Sequence, residues 1–417
     1  MSTLQVFNTG IGASRRQSYH PPIAPSKLTV QTDQEKLPHY PFQPLPPPNG
    51  NPPFRFDLSQ LLTAADVQQI KNDGVLVLHT VGDTGDFRGR QQDFVAAMMT
   101  TDANNSPDNK KPAFLYHLGD VVYFAGDIDM YGNNFYETYQ DYPCFIVAIP
   151  GNHDCQPDDP QDGPVDPNKY PLDGWVKNFM SKNPAQLGSL KTNSERTQMN
   201  LPNVYWTFTM PFATILGLFS NVGEDQGEFH PDQINWFQGE LKAADPNLAL
   251  IVTVHHPAFS GDDEHSGSTV VDKVLLESFQ ATNRYPNLVL SGHVHNYQRF
   301  TKTLKGPKGI LQVPYVVAGA GGYTNLGKLQ KINGNYPKAP LPLGNGLTLE
   351  QYDQDNFGFL RLEVSKNQIA GTYFSAPYAV SGAPATKRVD GFVVDLVKNT
   401  VQTVSSKAGG GSGKGKK

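Results

Sequence analysis

The sequence predicts an α/β fold in which two β-sheets pack against each other. Two observations support this prediction. Between about residues 57 and 291, short apolar runs alternate with amphipathic segments of helical period, which is typical of strands covered by helices. From about residue 297 onward the pattern changes to strand, turn and strand, so the C-terminal third is expected to supply a second sheet packed on the first.

Helical periodicity appears in segments that lie between the apolar runs. The first, DLSQLLTAADVQQIKNDG, predicts one capped amphipathic helix. Its apolar side carries Leu58, Leu61, Leu62, Ala65 and Ile70. The later helical segments are RQQDFVAAMMTT (90–101), HPDQINWFQGELKAAD (230–245) and TVVDKVLLESFQ (269–280).

Short apolar runs predict the buried strands, because such runs suit a sheet that is covered on both faces. In the α/β part they are VLVLHTV (75–81), AFLYHL (113–118), CFIVAI (144–149), LALIVTV (248–254) and NLVLS (287–291). In the C-terminal third they are YVVAGAGG (315–322), FGFLRLEV (357–364), IAGTYFSA (369–376) and GFVVDLV (391–397).

The two ends of the chain differ in composition from the middle. Residues 1–55 are predicted to be a Pro-rich arm, because HPPIAPSKL and PFQPLPPPNGNPPF favour extended, polyproline-like backbone; the arm is expected to lie along the domain surface or to move freely. Residues 56–404 are predicted to form one domain. Residues 405–417 are predicted to be a flexible Gly/Ser/Lys tail.

Charge and hydropathy exclude several classes of partner. The net charge of -5 argues against nucleic acid, which requires a basic surface. No apolar run approaches the ~18 residues of a membrane span. The first residues lack the apolar core of a secretory signal, so a cytoplasmic location is the default expectation and export stays open. The oligomeric state is not addressed by the sequence.

The chain has two cysteines, Cys144 and Cys155, which exclude a disulfide framework or a zinc ribbon. They flank one of the polar motifs described next. Two buried thiols are expected, and a disulfide between them is the alternative in an oxidising compartment.

Polar residues able to bind a metal follow each apolar run of the α/β part. Sites in α/β sheets form at the carboxyl ends of strands, so these residues are expected to meet. Each motif alone is also typical of an ordinary turn, but its recurrence after every strand indicates a shared site. The motifs are GDTGD (82–86), GDVVY (119–123), PGNHD (150–154), HHPAF (255–259) and GHVHNY (292–297).

The candidate ligands offer oxygen and imidazole nitrogen but no thiolate, a donor set that suits Fe, Zn or Mn. Seven ligands are too many for one open catalytic ion, and they favour two ions that share a carboxylate at the ~3.5–4 Å spacing of two-metal hydrolases. The candidates are Asp83, Asp120, Tyr123, Asn152, His255, His293 and His295.

In the order GDxG, GDxxY, GNH[DE], VxxH and GHxHxY, these motifs resemble the calcineurin-like metallophosphoesterases, and more narrowly the purple acid phosphatases. The resemblance covers roughly residues 75–400 and includes AGAGG (318–322). It implies a four-layer αββα sandwich of two mixed β-sheets flanked by helices. It also implies a phosphate monoester hydrolase whose nucleophile is a hydroxide bound to or bridging the metals.

The resemblance also implies a role for each ligand. Asp83, Tyr123 and His295 would bind the first metal. Asn152, His255 and His293 would bind the second metal, and Asp120 would bridge the two.

One position departs from the broader superfamily, whose first motif is D-x-H. Here Gly85 stands in place of that histidine, and Tyr123 supplies a ligand instead. A phenolate suits a hard trivalent ion. The expected cofactors are therefore Fe(III) in the first position and a divalent Fe, Zn or Mn in the second.

The remaining histidines have different expected roles. The resemblance implies that His153 contacts the phosphate and assists the leaving group, and that His265 could do the same, with an ordinary surface histidine as the alternative. His117 and His256 are expected to be supporting or core residues, and His79 to be packed inside its strand. The acidic loop QPDDPQDGPVDP (156–167) is expected to be solvated.

The leading hypothesis is therefore a binuclear phosphatase that acts on small phosphorylated substrates. A phosphodiesterase or nucleotide hydrolase on the same scaffold is the enzymatic alternative. A non-enzymatic scaffold that binds partners through its Pro-rich arm is the alternative from another class, and it would be expected to have lost ligands.

Overall fold

The computed structural model describes residues 26–32, 44–85, 89–155, 172–185, 196–221, 226–379 and 385–404. Most of the predicted arm, the acidic loop after Asp154 and the predicted tail lie outside the described residues. None of the helices in the described part of the chain has both the length and the apolar character that a membrane crossing requires.

The described residues form five α-helices and sixteen strands. The helices are α1 (Ala64–Asp73), α2 (Gln91–Asn105), α3 (Asp173–Phe179), α4 (Pro231–Ala243) and α5 (Thr269–Thr282). The first eight strands are β1 (Arg55–Asp57), β2 (Leu76–Val81), β3 (Phe114–His117), β4 (Phe145–Ala148), β5 (Trp206–Met210), β6 (Ala213–Leu218), β7 (Ala249–Val254) and β8 (Leu288–Ser291). The others are β9 (Tyr297–Gly306), β10 (Gly309–Ala318), β11 (Leu341–Gly344), β12 (Leu347–Asp353), β13 (Phe357–Val364), β14 (Gln368–Ala376), β15 (Lys387–Asp395) and β16 (Thr400–Thr403).

The strands form two mixed sheets. One has nine strands in the order β1-β5-β6-β7-β8-β10-β9-β12-β11, and the other has seven in the order β16-β15-β14-β13-β2-β3-β4. The pairs in β2-β3-β4, in β6-β7-β8-β10 and in β1-β5 are parallel, and the other pairs in both sheets are antiparallel. This arrangement confirms the predicted fold class.

The expectation that the C-terminal third forms a separate sheet is wrong. Strands β9 to β12 extend the sheet of β7 and β8, whereas β13 to β16 extend the sheet of β2, β3 and β4. The parallel strands that precede the polar motifs are thus divided between the two sheets. Apolar runs show that a strand is buried, but they do not identify its neighbour.

The two sheets pack face to face and are joined by buried polar contacts. The Tyr116 hydroxyl in β3 and the Thr253 hydroxyl in β7 are 2.7 Å apart. On the other side of the interface, the buried Arg299 guanidinium in β9 donates two hydrogen bonds, of 2.6 and 3.0 Å, to Asp390 in β15. Tyr297 donates a third to the same carboxylate, at 2.8 Å.

Helices cover the outer faces. Phe237 and Leu241 of α4 join Leu275 and Phe279 of α5 in an apolar cluster with strand residues such as Leu250 of the nine-stranded sheet. On the seven-stranded sheet, Asp102 of α2 accepts a hydrogen bond from Arg361 of β13 and lies 2.8 Å from Nε2 of His79 in β2. His79 is therefore a packed core residue, as expected.

The first predicted helix is shorter than expected. Residues 58–60 form a separate helical turn capped by Asp57, and α1 begins only after Thr63, whose side chain accepts a hydrogen bond from the Asp66 amide. Two capping residues six positions apart thus divide the segment. Ala65 is exposed, so it does not belong to the apolar side.

Parts of the predicted arm pack on the domain. Leu28 is 8% exposed and belongs to the same cluster as α4 and α5, and Phe54 is buried in the inter-sheet core. Strand β1 crosses the predicted boundary at residue 55, and that boundary stays a prediction. Cys144 and Cys155 are both free thiols, whose Sγ atoms donate to the carbonyls of Pro112 and Asn152.

Candidate metal centre

The polar motifs meet at one end of the two sheets, where β2, β3, β4, β7 and β8 end. Three candidate ligands lie in turns with left-handed backbone: Asp83 (φ 61°), Asp120 (φ 51°) and His293 (φ 68°). This conformation costs a non-glycine residue of order 1–3 kcal/mol and recurs where function holds a side chain in place. The sharp turns return the chain into the site directly after each strand.

One group of candidate ligands contains Asp83, Tyr123 and His295. The Tyr123 hydroxyl lies 3.3 Å from Asp83 Oδ1 and 3.3 Å from His295 Nε2. The backbone N–H of His293 is also shared between the two Asp83 carboxylate oxygens, each 2.9 Å from the nitrogen. All three residues are buried.

A second group contains Asn152, His255 and His293. Asn152 Oδ1 lies 3.0 Å from His255 Nε2 and 3.0 Å from His293 Nδ1. The other ring nitrogen of His255 is 2.8 Å from the Leu118 carbonyl oxygen, an acceptor, so Nδ1 carries a proton. Nε2 is the ring nitrogen that faces the other residues of the second group.

Asp120 lies between the two groups. Its Oδ2 accepts a hydrogen bond of 2.9 Å from Tyr123 of the first group and is 3.3 Å from His255 Nε2 of the second. Its Oδ1 accepts the backbone amide of His153 at 2.9 Å. Asp120 thus contacts both groups.

The buried carboxylates of the site favour a positive charge on His255. His255 Nε2 faces two acceptors, Asn152 Oδ1 and Asp120 Oδ2. Burial would lower the pKa of His255, but Asp120 and Asp83 raise it to about 9, which means that a proton supplies the positive charge when no other cation does. A metal ion can supply the same charge without a proton.

The pKa values of the Asp83 and Asp120 carboxyl groups shift in opposite directions. Burial raises the pKa of Asp83 well above its usual value. Burial also opposes ionisation of Asp120, but the electrostatic interactions of its carboxylate with His255 and His153 hold its pKa well below the usual range. Burial and the two carboxylates raise the pKa of Tyr123 well above 10, so its phenol is neutral and donates to Asp120 unless a cation displaces the proton.

The donor set fits metal ions. Asp120, His255 and His293 each place a ligand atom within 4.8 Å of the others, and all three are buried. Burial and neighbouring histidines lower the pKa of His293 and of His295 well below the usual value, so both rings are neutral, which is the form that binds metals. Carboxylate and amide oxygens with imidazoles suit Fe, Zn or Mn.

Gly85 lies where the superfamily pattern has a histidine, and the structure gives a reason for the replacement. A Cβ at this position would collide with the Val121 carbonyl oxygen and lie 2.5 Å from Val122 Cα. The backbone of the Asp120–Tyr123 turn passes directly over Gly85, and the Tyr123 amide donates to the Gly85 carbonyl at 3.0 Å. This close approach places the Tyr123 side chain in the site.

The two candidate catalytic histidines contact different candidate ligands. The His153 ring packs on Tyr123, with centroids 4.4 Å apart, and its Nδ1 is 2.8 Å from the Phe124 carbonyl oxygen. The His265 ring lies 4.9 Å from that of His293 and 5.4 Å from that of His295. All nine predicted site residues therefore surround one centre.

Three supporting residues were not predicted. The buried Asp154 carboxylate accepts the amides of Val121 and Gly151 at 3.0 and 2.8 Å and so joins two ligand-bearing turns; burial and Asp120 raise its pKa to about 7. Asp262 accepts the His265 amide at 3.0 Å, and burial raises its pKa to about 6. Tyr323 stacks on His295 at 4.2 Å.

Only Asp154 carried a signal in the sequence, since it ends the PGNHD motif directly after Asn152 and His153. The expected supporting roles of His117 and His256 agree with their contacts. His117 Nε2 is 2.9 Å from the Thr84 hydroxyl, and His256 Nδ1 is 2.7 Å from the Ser220 hydroxyl.

Comparisons with known proteins agree with this geometry. The calcineurin-like phosphoesterase family model matches residues 76–297, more than half of the chain. Purple acid phosphatases 22 and 21 of Arabidopsis thaliana are 24% and 26% identical to the chain over 166 residues, which are 39% of this chain and 34% of each relative. The chain thus matches about a third of the length of these curated relatives.

A solved structure shows the same fold. Purple acid phosphatase PPD1 from yellow lupin (Lupinus luteus) seeds superposes with a TM-score of 0.52 at 17% identity, over 80% of this chain and 57% of that one. With the family match and the order of the strand-end motifs, this likeness leads to one conclusion. The chain belongs to the calcineurin-like phosphoesterase family and, within it, resembles the purple acid phosphatases.

Proposed function

We propose that the protein is a binuclear-metal hydrolase that cleaves phosphate monoesters. The observation that carries this proposal is the arrangement of two ligand groups around one shared carboxylate, Asp120. Asp83, Tyr123 and His295 would hold one ion. Asn152, His255 and His293 would hold the other. Bound ions in such a centre act as Lewis acids that activate water and neutralise phosphate charge.

The chain's own residues would bind and orient the substrate. His153 is fixed through Nδ1 by the Phe124 carbonyl, so its Nε2 is the atom available to give a proton to the leaving oxygen. His265 lies beside His293 and His295, from where it can donate a hydrogen bond to the phosphate. His153 would thus protonate the leaving group, and His265 would bind the phosphate.

Tyr123 bears on the identity of the first ion. Its phenol is buried between two carboxylates, and loss of its proton requires a strongly charged neighbour. Fe(III) meets this requirement better than a divalent ion. We therefore propose Fe(III) near Tyr123 and a divalent Fe, Zn or Mn in the second position.

The substrate is proposed to be a small phosphorylated molecule. The phosphodiesterase alternative uses the same metals, and a comparison of substrates distinguishes the two. The scaffold alternative would leave the ligand groups without a task, whereas here all seven candidate ligands lie around one centre.

The test is hydrolysis of 4-nitrophenyl phosphate and of bis(4-nitrophenyl) phosphate by protein loaded with iron and zinc. We expect kcat/KM to be larger for the monoester. A larger value for the diester would overturn the monoester proposal and support the phosphodiesterase alternative. A metal-loaded protein that cleaves neither ester would support the scaffold alternative.

A further inference from the structure

The loop that carries His265 is held from outside by part of the N-terminal arm. We call residues 258–268 the His265 loop and residues 26–32 the strap. The Val30 carbonyl of the strap accepts the amide of Ser260 at 3.1 Å and that of Gly267 at 3.2 Å. Since these amides lie near the two ends of the His265 loop, one strap residue closes the base of the loop.

Side chains of the strap add to this attachment. Gln31 Nε2 donates to the Ala258 carbonyl at 2.9 Å and to Asp272 in α5 at 3.1 Å. Leu28 is 8% exposed and packs so closely on Gly261 that a Cβ there would lie 2.9 Å from it. The strap thus contacts the start, the middle and the end of the loop.

Asp262 holds the same loop from inside. Its carboxylate accepts the His265 amide at 3.0 Å and the Asn296 side-chain amide at 2.9 Å, and Asn296 directly follows His295. Gln330 joins this inner anchor to the strap, because its Nε2 donates to the carbonyls of Asp262 and Thr29 at 2.9 and 3.0 Å. The inner and outer contacts therefore form one connected network.

We infer that the strap is a positioning element of the active site, which fixes the His265 loop so that His265 faces the phosphate. The strap lies outside the part of the chain that matches the family model. The N-terminal arm would therefore have a positioning role that the family domain does not supply. It rests on the proposed function, because it assumes that His265 contacts phosphate. Strap residues touch neither substrate nor metal and act through His265.

The experiment compares full-length variants. Leu28→Ala combined with Gln31→Ala weakens the strap, and Lys27→Ala, a change at an exposed neighbour, is the matched control. Hydrogen exchange of the Ser260 and Gly267 amides reports the loop directly. We expect about tenfold faster exchange in the double variant and no change in the control, because the amides lose a held acceptor.

The second readout is the affinity of metal-loaded protein for inorganic phosphate. We expect it to fall about tenfold in the double variant, since a small displacement of a positioned group costs up to ~100-fold. In a His265→Ala background the same strap changes should weaken phosphate binding no further, because the strap acts through His265.

Unchanged amide exchange, unchanged phosphate affinity, or a full further loss in the His265→Ala background would each overturn the inference. A protein that shows the expected exchange and phosphate binding but cleaves no monoester would overturn the proposed function and leave the strap in place.

Discussion

At the scale of single residues, the site depends on side chains whose charges are balanced by one another. Asp120 is central to this charge balance, because its two oxygens contact Tyr123, His255 and the His153 amide. Its ionised form is favoured inside the protein although it is fully buried. Removal of this charge should therefore affect both ligand groups together.

We predict that Asp120→Asn lowers the metal content to less than one ion per chain and abolishes turnover, because the shared negative charge is lost. Elemental analysis of the purified variant measures the content. Asp141→Asn, which removes an exposed carboxylate, is the control and should bind metal as the wild type does. Full metal occupancy and normal turnover in Asp120→Asn would contradict the bridging role.

A second residue-scale prediction concerns colour. A phenolate bound to Fe(III) absorbs visible light, so the oxidised, iron-loaded protein should be coloured and Tyr123→Phe should be colourless. Tyr315→Phe removes another buried phenol that is not among the candidate ligands and should keep the colour. A visible band that survives in Tyr123→Phe would show that this tyrosine is not the ligand. The absorption would then come from another group in the metal centre.

At the scale of elements, the turns after the strands decide whether the ligands meet. The turn at Gly85 shows this most clearly, since the Val121–Val122 backbone occupies the space of any side chain there. A larger residue must displace the turn that carries Asp120 and Tyr123. A histidine at position 85 is thus incompatible with the turn that places Tyr123 in the site.

We predict that Gly85→Ala destabilises the protein by about 1–3 kcal/mol, the usual cost of overpacking, and lowers the metal content. Denaturant unfolding of the metal-free protein measures the free energy. Gly239→Ala is the control: it lies in α4 with open space around it, and alanine there should stabilise by about 0.5–1 kcal/mol. Equal stability of Gly85→Ala and wild type would show that the turn can move aside.

The sequence was sufficient to predict which polar side chains meet at the strand ends, but not the residues that hold them in place. Asp83, Asp120 and Asn152 could be predicted because each follows a recognisable apolar run by a few residues. Asp262 and Tyr323 could not, because their partners His265 and His295 are brought to them by loops without a periodic pattern. The divided first helix was missed for a related reason, since both Asp57 and Thr63 are good capping residues and the sequence does not show which one starts the helix.

At the scale of the whole molecule, the centre lies where two sheets meet. Its candidate ligands follow β2, β3 and β4 of one sheet and β7 and β8 of the other, so the sheets must keep their relative position. The buried pair of Arg299 and Asp390 joins the same two sheets. Alternation of strands and helices predicted the sandwich, but strand order depends on long-range pairing that no local pattern records.

We predict that Arg299→Met destabilises the protein by about 3–5 kcal/mol, because it leaves the buried Asp390 carboxylate without its cation. Thermal or denaturant unfolding measures the change. Arg299→Met combined with Asp390→Leu should lose less than Arg299→Met alone, since no buried charge remains. A double variant less stable than Arg299→Met would contradict this account of the interface.

We propose that the protein holds two metal ions, one on each side of Asp120. The most direct measurement is a crystal structure of the metal-loaded protein with anomalous scattering recorded at the iron and zinc edges. We expect two anomalous peaks about 3.5–4 Å apart, one beside Tyr123 and the other beside His255, with an Asp120 oxygen between them. A single peak, or two peaks that do not share Asp120, would contradict it.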